Sequence, residues 1–224
     1  MDVEGLARDI LDGRFRAIAQ GITLVENNLP EKENLIRILY PHTGRAVNLG
    51  ITGAPGSGKS SLVNRLIHLY RDGGKRVGII AVDPSSPFTR GAILGDRLRM
   101  QDHSRDPGVF IRSMASRGHL GGLSSGCWDA VKILDAAGFD TVIIETIGVG
   151  QNEVEIMRLS DLVLLVLVPG LGDEIQALKA GVMEIGDVYV INKMDLEGAD
   201  RLKAEVEYAL NFGAGETDGE SGGR

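Results

Sequence analysis

At 224 residues, with 43% hydrophobic side chains and a formal net charge of −7, the chain has enough apolar material for one α/β domain. It carries too much negative charge for a general nucleic-acid or membrane-surface binder. A single cysteine, Cys127, excludes an internal disulfide framework and fits a reducing cytosol; it has no motif partner and reads as a small packed residue. The start, Met1–Gly5, has no basic stretch leading into an apolar core. The longest apolar run, Leu162–Pro169, is too short to cross a bilayer, so the expectation is a cytoplasmic protein that engages no membrane and no nucleic acid.

In chain order, residues 3–27 read as one helix, with Leu6, Ile10, Leu11, Phe15, Ile18 and Ile22 at helical spacing and Pro30 as the breaker. Glu31–Tyr40 reads as a second helix, stopped by Pro41. From Val47 apolar strands alternate with amphipathic helices. The strands expected are Val47–Thr52, Val77–Val82, Val109–Ile111, Thr141–Glu145, Leu162–Val168 and Val188–Asn192. The helices fall near Lys59–Asp72, Cys127–Ala137, Asp173–Met183 and Ala199–Phe212. This alternation predicts an α/β fold: a mostly parallel sheet with helices on both faces, preceded by a helical extension that caps the core. Ligands of such sheets bind at the carboxyl ends of the strands. Residues 213–224 are glycine-rich and acidic and read as a disordered tail.

Gly53-Ala54-Pro55-Gly56-Ser57-Gly58-Lys59-Ser60, between the first strand and the helix opening with Ser61, fits the phosphate-binding P-loop. Its glycines let several backbone N–H groups face one point, where they and the helix N-terminus hold phosphate oxygens. The Lys59 ammonium then reaches the β- and γ-phosphates, and the Ser60 hydroxyl ligates Mg²⁺.

Asn192-Lys193-Met194-Asp195 follows a later strand. A carboxylate only accepts hydrogen bonds. Guanine offers two adjacent donors, N1–H and the N2 amine, to the two oxygens of Asp195, whereas adenine offers an acceptor in place of N1–H. Asn192 ties this loop to the P-loop, and the Lys193 stem lies along the base. The bland alternative is that Asp195 merely caps a helix; a P-loop upstream argues for the guanine reading.

Glu145 ends a buried strand at the position where P-loop proteins place a metal-side acid, usually aspartate. Gly148 presents an N–H that senses the γ-phosphate. Two further carboxylates are candidates. Asp83 ends its strand, and Asp96 reads equally as a metal-side acid or as an ion-pair partner of Arg97 or Arg99. Arg90, Arg97, Arg99 and Arg117 are each candidates to neutralise transition-state charge, and spacing does not choose among them.

The P-loop, Val82-Asp83-Pro84-Ser85-Ser86, Gly95-Asp96-Arg97, Arg112–Gly118, Glu145–Gln151 and Pro169–Gln176 together resemble one group: the methylmalonyl-CoA mutase-associated GTPases, called MeaB or ArgK. The resemblance runs from near residue 5 to about residue 212. It divides the chain into a helical extension (1–44), a P-loop GTPase domain (45–212) and the tail (213–224). It implies a GTP-binding, GTP-hydrolysing chaperone that couples nucleotide state to cofactor loading or protection of an adenosylcobalamin-dependent acyl-CoA mutase. By motif, Ser60, Asp83, Asp96 and Glu145 would surround Mg²⁺. Lys59, Asp96 and Glu145 would serve catalysis, and Gly170–Gly181 would face the mutase.

Family members normally continue past residue 212 with a further strand, a loop that supports guanine and helices that form a dimer. The expectation is therefore weakened base binding and a weakened homodimer. No glutamine directly follows Gly148, and Gln151 lies three residues further on, so slow intrinsic hydrolysis is expected. The alternatives are a nickel-insertion GTPase, disfavoured by four scattered histidines and one cysteine; an ATP-dependent small-molecule kinase, disfavoured by Asp195; and a nucleotide-dead interaction fragment, disfavoured by intact Lys59, Ser60 and Glu145.

Overall fold

The structure is a computed structural model that describes residues 1–83, 103, 105–115, 125–146, 152–170 and 182–213; side chains at a few segment ends, Asp83 and Ala115 among them, fall outside that description. Six strands form one sheet: β1 (Val47–Thr52), β2 (Val77–Asp83), β3 (Val109–Ala115), β4 (Thr141–Thr146), β5 (Leu162–Leu167) and β6 (Val188–Ile191). Their order is β3-β2-β4-β1-β5-β6 and every pairing is parallel. Beside them lie helices α1 (Val3–Leu11), α2 (Phe15–Glu26), α3 (Lys32–Leu39), α4 (Lys59–Asp72), α5 (Ser125–Ala136), α6 (Asn152–Leu159) and α7 (Ala199–Gly213).

Burial explains the strands. All six residues of β4 are buried, which a near-continuous apolar run in the middle of a parallel sheet requires. Alternate residues feed opposite faces. Leu49, Ile51, Ile79 and Ile143 pack against Val63 and Ile67 of α4, while Ile80, Val82, Val142 and Ile144 join a larger cluster on the other face. That cluster also takes in Leu6, Ile10, Ile18, Ile22, Leu35 and Leu39 from α1–α3, so the N-terminal helices share the core of the sheet. Leu202 and Val206 of α7 cover Leu165 and Leu167 of β5.

The single helix expected over 3–27 is two helices. Gly13 takes φ +73°, and α2 begins at Phe15. A left-handed glycine after the last turn is an ordinary helix terminator. The apolar spacing runs through the break because Ile10 and Ile18 enter the same cluster from both helices. β3 extends to Ala115, beyond the expected end at Ile111. The helix α6 has no counterpart in the sequence reading. The helix expected at Asp173–Met183 lies almost wholly outside the described residues; Val182–Ile185 form a 3₁₀ turn.

Aspartates secure the amino-terminal edge of the sheet. The N–H groups of Asn48, Arg76, Gly108 and Val163 donate to Asp161, Asp140, Asp106 and Asp187 at 2.7, 2.8, 2.8 and 2.8 Å. Each bond satisfies a donor where a strand begins. Asp135 of α5 does the same for the link into β1, accepting from the N–H groups of Gly44, Arg45 and Ala46. Cys127 is fully buried, as a packed residue should be.

Candidate nucleotide site

The site lies at the opposite, carboxyl edge. β1 sits between β4 and β5, and its last residue, Thr52, leads directly into Gly53. Two glycines are demanded by close approach as well as by conformation. Gly53 has φ +139°, and a Cβ there would strike the Val166 carbonyl of β5. Gly58 has φ +94°, and a Cβ there would strike the Asn192 amide. Only a residue without a side chain lets the loop fold this tightly. Helix α4 starts at Lys59, so its first N–H groups and positive end face the loop.

Lys59 is 7% exposed, and its ammonium donates to the carbonyls of Gly53 at 2.7 Å and Ala54 at 3.0 Å. The charge is thus held inside the curve of the loop, on carbonyls of its first two residues. The Ser60 hydroxyl donates to Glu145 Oε1 at 2.7 Å, across from the end of β4. Glu145 is 4% exposed, so its carboxylate belongs to the site and not to the solvent surface.

Asn192 and Lys193 reach the P-loop from the end of β6. Asn192 Nδ2 donates to the Ser57 carbonyl at 2.8 Å and Lys193 Nζ to the Gly56 carbonyl at 2.8 Å. Lys193 has φ +56°, a left-handed backbone uncommon for a residue with a side chain. Asp195 follows, exposed, two residues further on. Ser61 is exposed on the first turn of α4, and Pro55 and Gly56 are exposed at the tip of the loop.

The structure thus gathers Gly53–Ser60, Glu145, Asn192 and Lys193 around one point. Asp83 is placed by its backbone, ending β2 beside Ala115. Asp96, Gly148 and the four candidate arginines lie outside the described residues, as do positions 171–181 of the segment expected to face the mutase.

The donor set fits both implied ligands. The glycine curve with Lys59 at its base suits phosphate oxygens. An alcohol and a carboxylate oxygen 2.7 Å apart are hard donors spaced somewhat closer than neighbouring vertices of an Mg²⁺ octahedron, about 3.0 Å for bonds near 2.1 Å. Among the described residues no group of three His, Cys, Asp or Glu forms a metal site, and Mg²⁺ in phosphate sites needs only one or two protein ligands beside phosphate and water.

One contact was not legible in the sequence. Thr146 Oγ1 donates to Thr52 Oγ1 at 3.0 Å between the ends of β4 and β1, with both residues fully buried. Its signal lies in strand register, which no motif spells out.

Comparison with known proteins agrees with the geometry. The family model described as methylmalonyl Co-A mutase-associated GTPase MeaB matches residues 18–220. The chain belongs to the MeaB family. A relative from Pyrococcus abyssi, named a "putative GTPase", is 56% identical over 210 residues, covering 94% of this chain and 65% of its own length. A Caenorhabditis elegans protein named as the mitochondrial methylmalonic aciduria type A homolog is 39% identical, covering 94% of this chain and 57% of that protein. The crystal structure of an LAO/AO transport system kinase superposes with a TM-score of 0.68 at 30% identity, covering 93% of this chain and 61% of that one. The chain therefore spans less than two thirds of the length of these curated relatives, 65% of one and 57% of the other. Among the described residues no helix is long and apolar enough to cross a membrane.

Proposed function

We propose that this MeaB-family chain binds GTP and GDP with Mg²⁺, hydrolyses GTP, and couples nucleotide state to cofactor loading or protection of an adenosylcobalamin-dependent acyl-CoA mutase. The observation that carries the nucleotide half is the convergence of Lys59, Ser60 and Glu145 with Asn192 and Lys193 on the P-loop. The family description and the C. elegans relative's name support the mutase half. A cytoplasmic location accords with this role.

In this reading the P-loop N–H groups and Lys59 bind and orient the β- and γ-phosphates. Asn192 and Lys193 fix the base-reading loop against the phosphate-reading loop, so that Asp195 meets the guanine edge at a set distance from the phosphates. Ser60 and Glu145, with Asp83 and Asp96, would hold Mg²⁺, which when bound would neutralise charge developing on the transferred phosphoryl group. Gly148 reports the γ-phosphate. Hydrolysis without a partner is slow, near the ~10⁻⁴–10⁻² s⁻¹ of unaided P-loop GTPases.

The test is to measure GTP turnover alone and with an adenosylcobalamin-dependent acyl-CoA mutase, and to follow cobalamin loading of the apo-mutase with GTP or GDP present. The proposal expects the mutase to accelerate turnover and loading to depend on which nucleotide is bound. A mutase that changes neither would overturn the chaperone half and leave the nucleotide half standing.

A further inference from the structure

We propose that Thr52 and Thr146 are positioning residues for the metal side of the site, acting through their buried hydroxyl–hydroxyl hydrogen bond. The inference rests on the reading of Ser60 and Glu145 as metal-side residues.

Backbone pairing of β1 with β4 runs from Val47 opposite Thr141 to Ile51 opposite Glu145. Thr52 and Thr146 come one residue later on each strand, and their hydroxyls bond at 3.0 Å. They extend the ladder by one side-chain rung, where strands otherwise begin to separate. Each neighbours a functional residue: Thr52 precedes Gly53 of the P-loop, and Thr146 follows Glu145.

The alternation of a strand puts the two contacts on opposite faces. Glu145 shares the face of Ile51, Ile79 and Ile143, which α4 covers, and there it meets Ser60. Thr146 shares the face of Val82, Val142 and Ile144, beneath α5 and the N-terminal helices. The end of β4 is thus gripped from both sides at consecutive residues. The Ser60 contact is one that metal binding would alter. The Thr52 contact lies on the opposite face of the sheet from Ser60 and holds the strand end while the other changes.

Packing alone does not ask for hydroxyls here. Valine has nearly the same shape and suits a buried strand at least as well, whereas a buried hydroxyl is costly unless bonded. A branched side chain with a restricted χ1 that also bonds its neighbour is suited to fixing one strand end against another. The consequence is a Glu145 carboxylate held at the distance Ser60 needs.

The experiment compares wild type with T52V/T146V by calorimetric GDP titration in Mg²⁺ and in EDTA. The double variant removes both hydroxyls, leaving no buried orphan, so it keeps its fold better than either single change. The expected result is that the Mg²⁺-dependent gain in affinity falls about tenfold while the affinity in EDTA stays within about twofold. T52S/T146S restores the wild-type ratio. T52A/T146A, which also leaves no orphaned hydroxyl and adds no bulk, supplies the same ratio should the valine pair not fold. A purely structural pair would weaken binding equally in both conditions; that result, or an unchanged Mg²⁺ gain, overturns the proposal. If wild type shows no Mg²⁺ gain at all, the metal-side reading of Ser60 and Glu145 fails first, and the proposal falls with it.

Discussion

Lys59 combines a full positive charge with deep burial, and the carbonyls of Gly53 and Ala54 make that combination tolerable. The same carbonyls aim the ammonium into the loop, so Lys59→Ala should lower GTP affinity by about 10²-fold or more, measured by calorimetry, as loss of a charge-stabilising donor commonly does. Asp195 acts differently. It is exposed, and no hydrogen bond or ion pair joins its carboxylate to another described residue, so Asp195→Ala should leave thermal stability nearly unchanged while reducing the preference for GTP over ATP by about 10²-fold. Both residues were legible because their chemistry is written as contiguous motifs. The Thr52–Thr146 bond was not, because it joins residues 94 positions apart that meet only when β1 and β4 pair in register.

The elements that could be read in advance are those whose pattern is local and long. β1 and α4 appear with the expected bounds because an apolar run, a glycine-rich turn and an amphipathic helix follow one another without interruption. The break between α1 and α2 was hidden by a shared apolar stripe, and α6 by its length of eight residues, only two turns, with Ile156 and Leu159 as its buried contacts. The close seat of α6 on β1 leaves no room for a Cβ at Gly50, which would strike Ser160 and Ile156. Asp135 joins the N-terminal helices to the sheet. It accepts three backbone N–H groups from the segment that enters β1, two of them on exposed residues that water can reach, so Asp135→Ala should destabilise the protein by about 1–2 kcal/mol in urea denaturation, the scale of losing hydrogen bonds to a charged acceptor.

At the scale of the whole molecule, the two edges of the sheet are built differently. Among the described residues the carboxyl edge gathers N–H groups, a helix N-terminus, Lys59 and Lys193 around the phosphate loop, with Glu145 beside them, while Asp106, Asp140, Asp161 and Asp187 secure strand starts at the amino edge. Two of those aspartates also make stability depend on pH. The Arg71 hydrogen bond and the Gly108 N–H hold Asp106 below the usual carboxylate range, and the Arg76 N–H and Lys75 do the same for Asp140. A depressed folded-state pKa contributes stability that is present above the ordinary value near 3.8 and is lost as pH falls through the folded value. D106N/D140N should therefore be less stable than wild type at pH 7 and should lose less further stability in thermal melts between pH 5 and about pH 2.

Whether the gathered loops read a guanine nucleotide is measured most directly by calorimetric titration of the chain with GDP, GTP and ATP, with and without Mg²⁺. The expected result is binding of GDP and GTP that Mg²⁺ strengthens, and no binding of ATP. A well-folded sample that binds no nucleotide, or that prefers ATP, would contradict it.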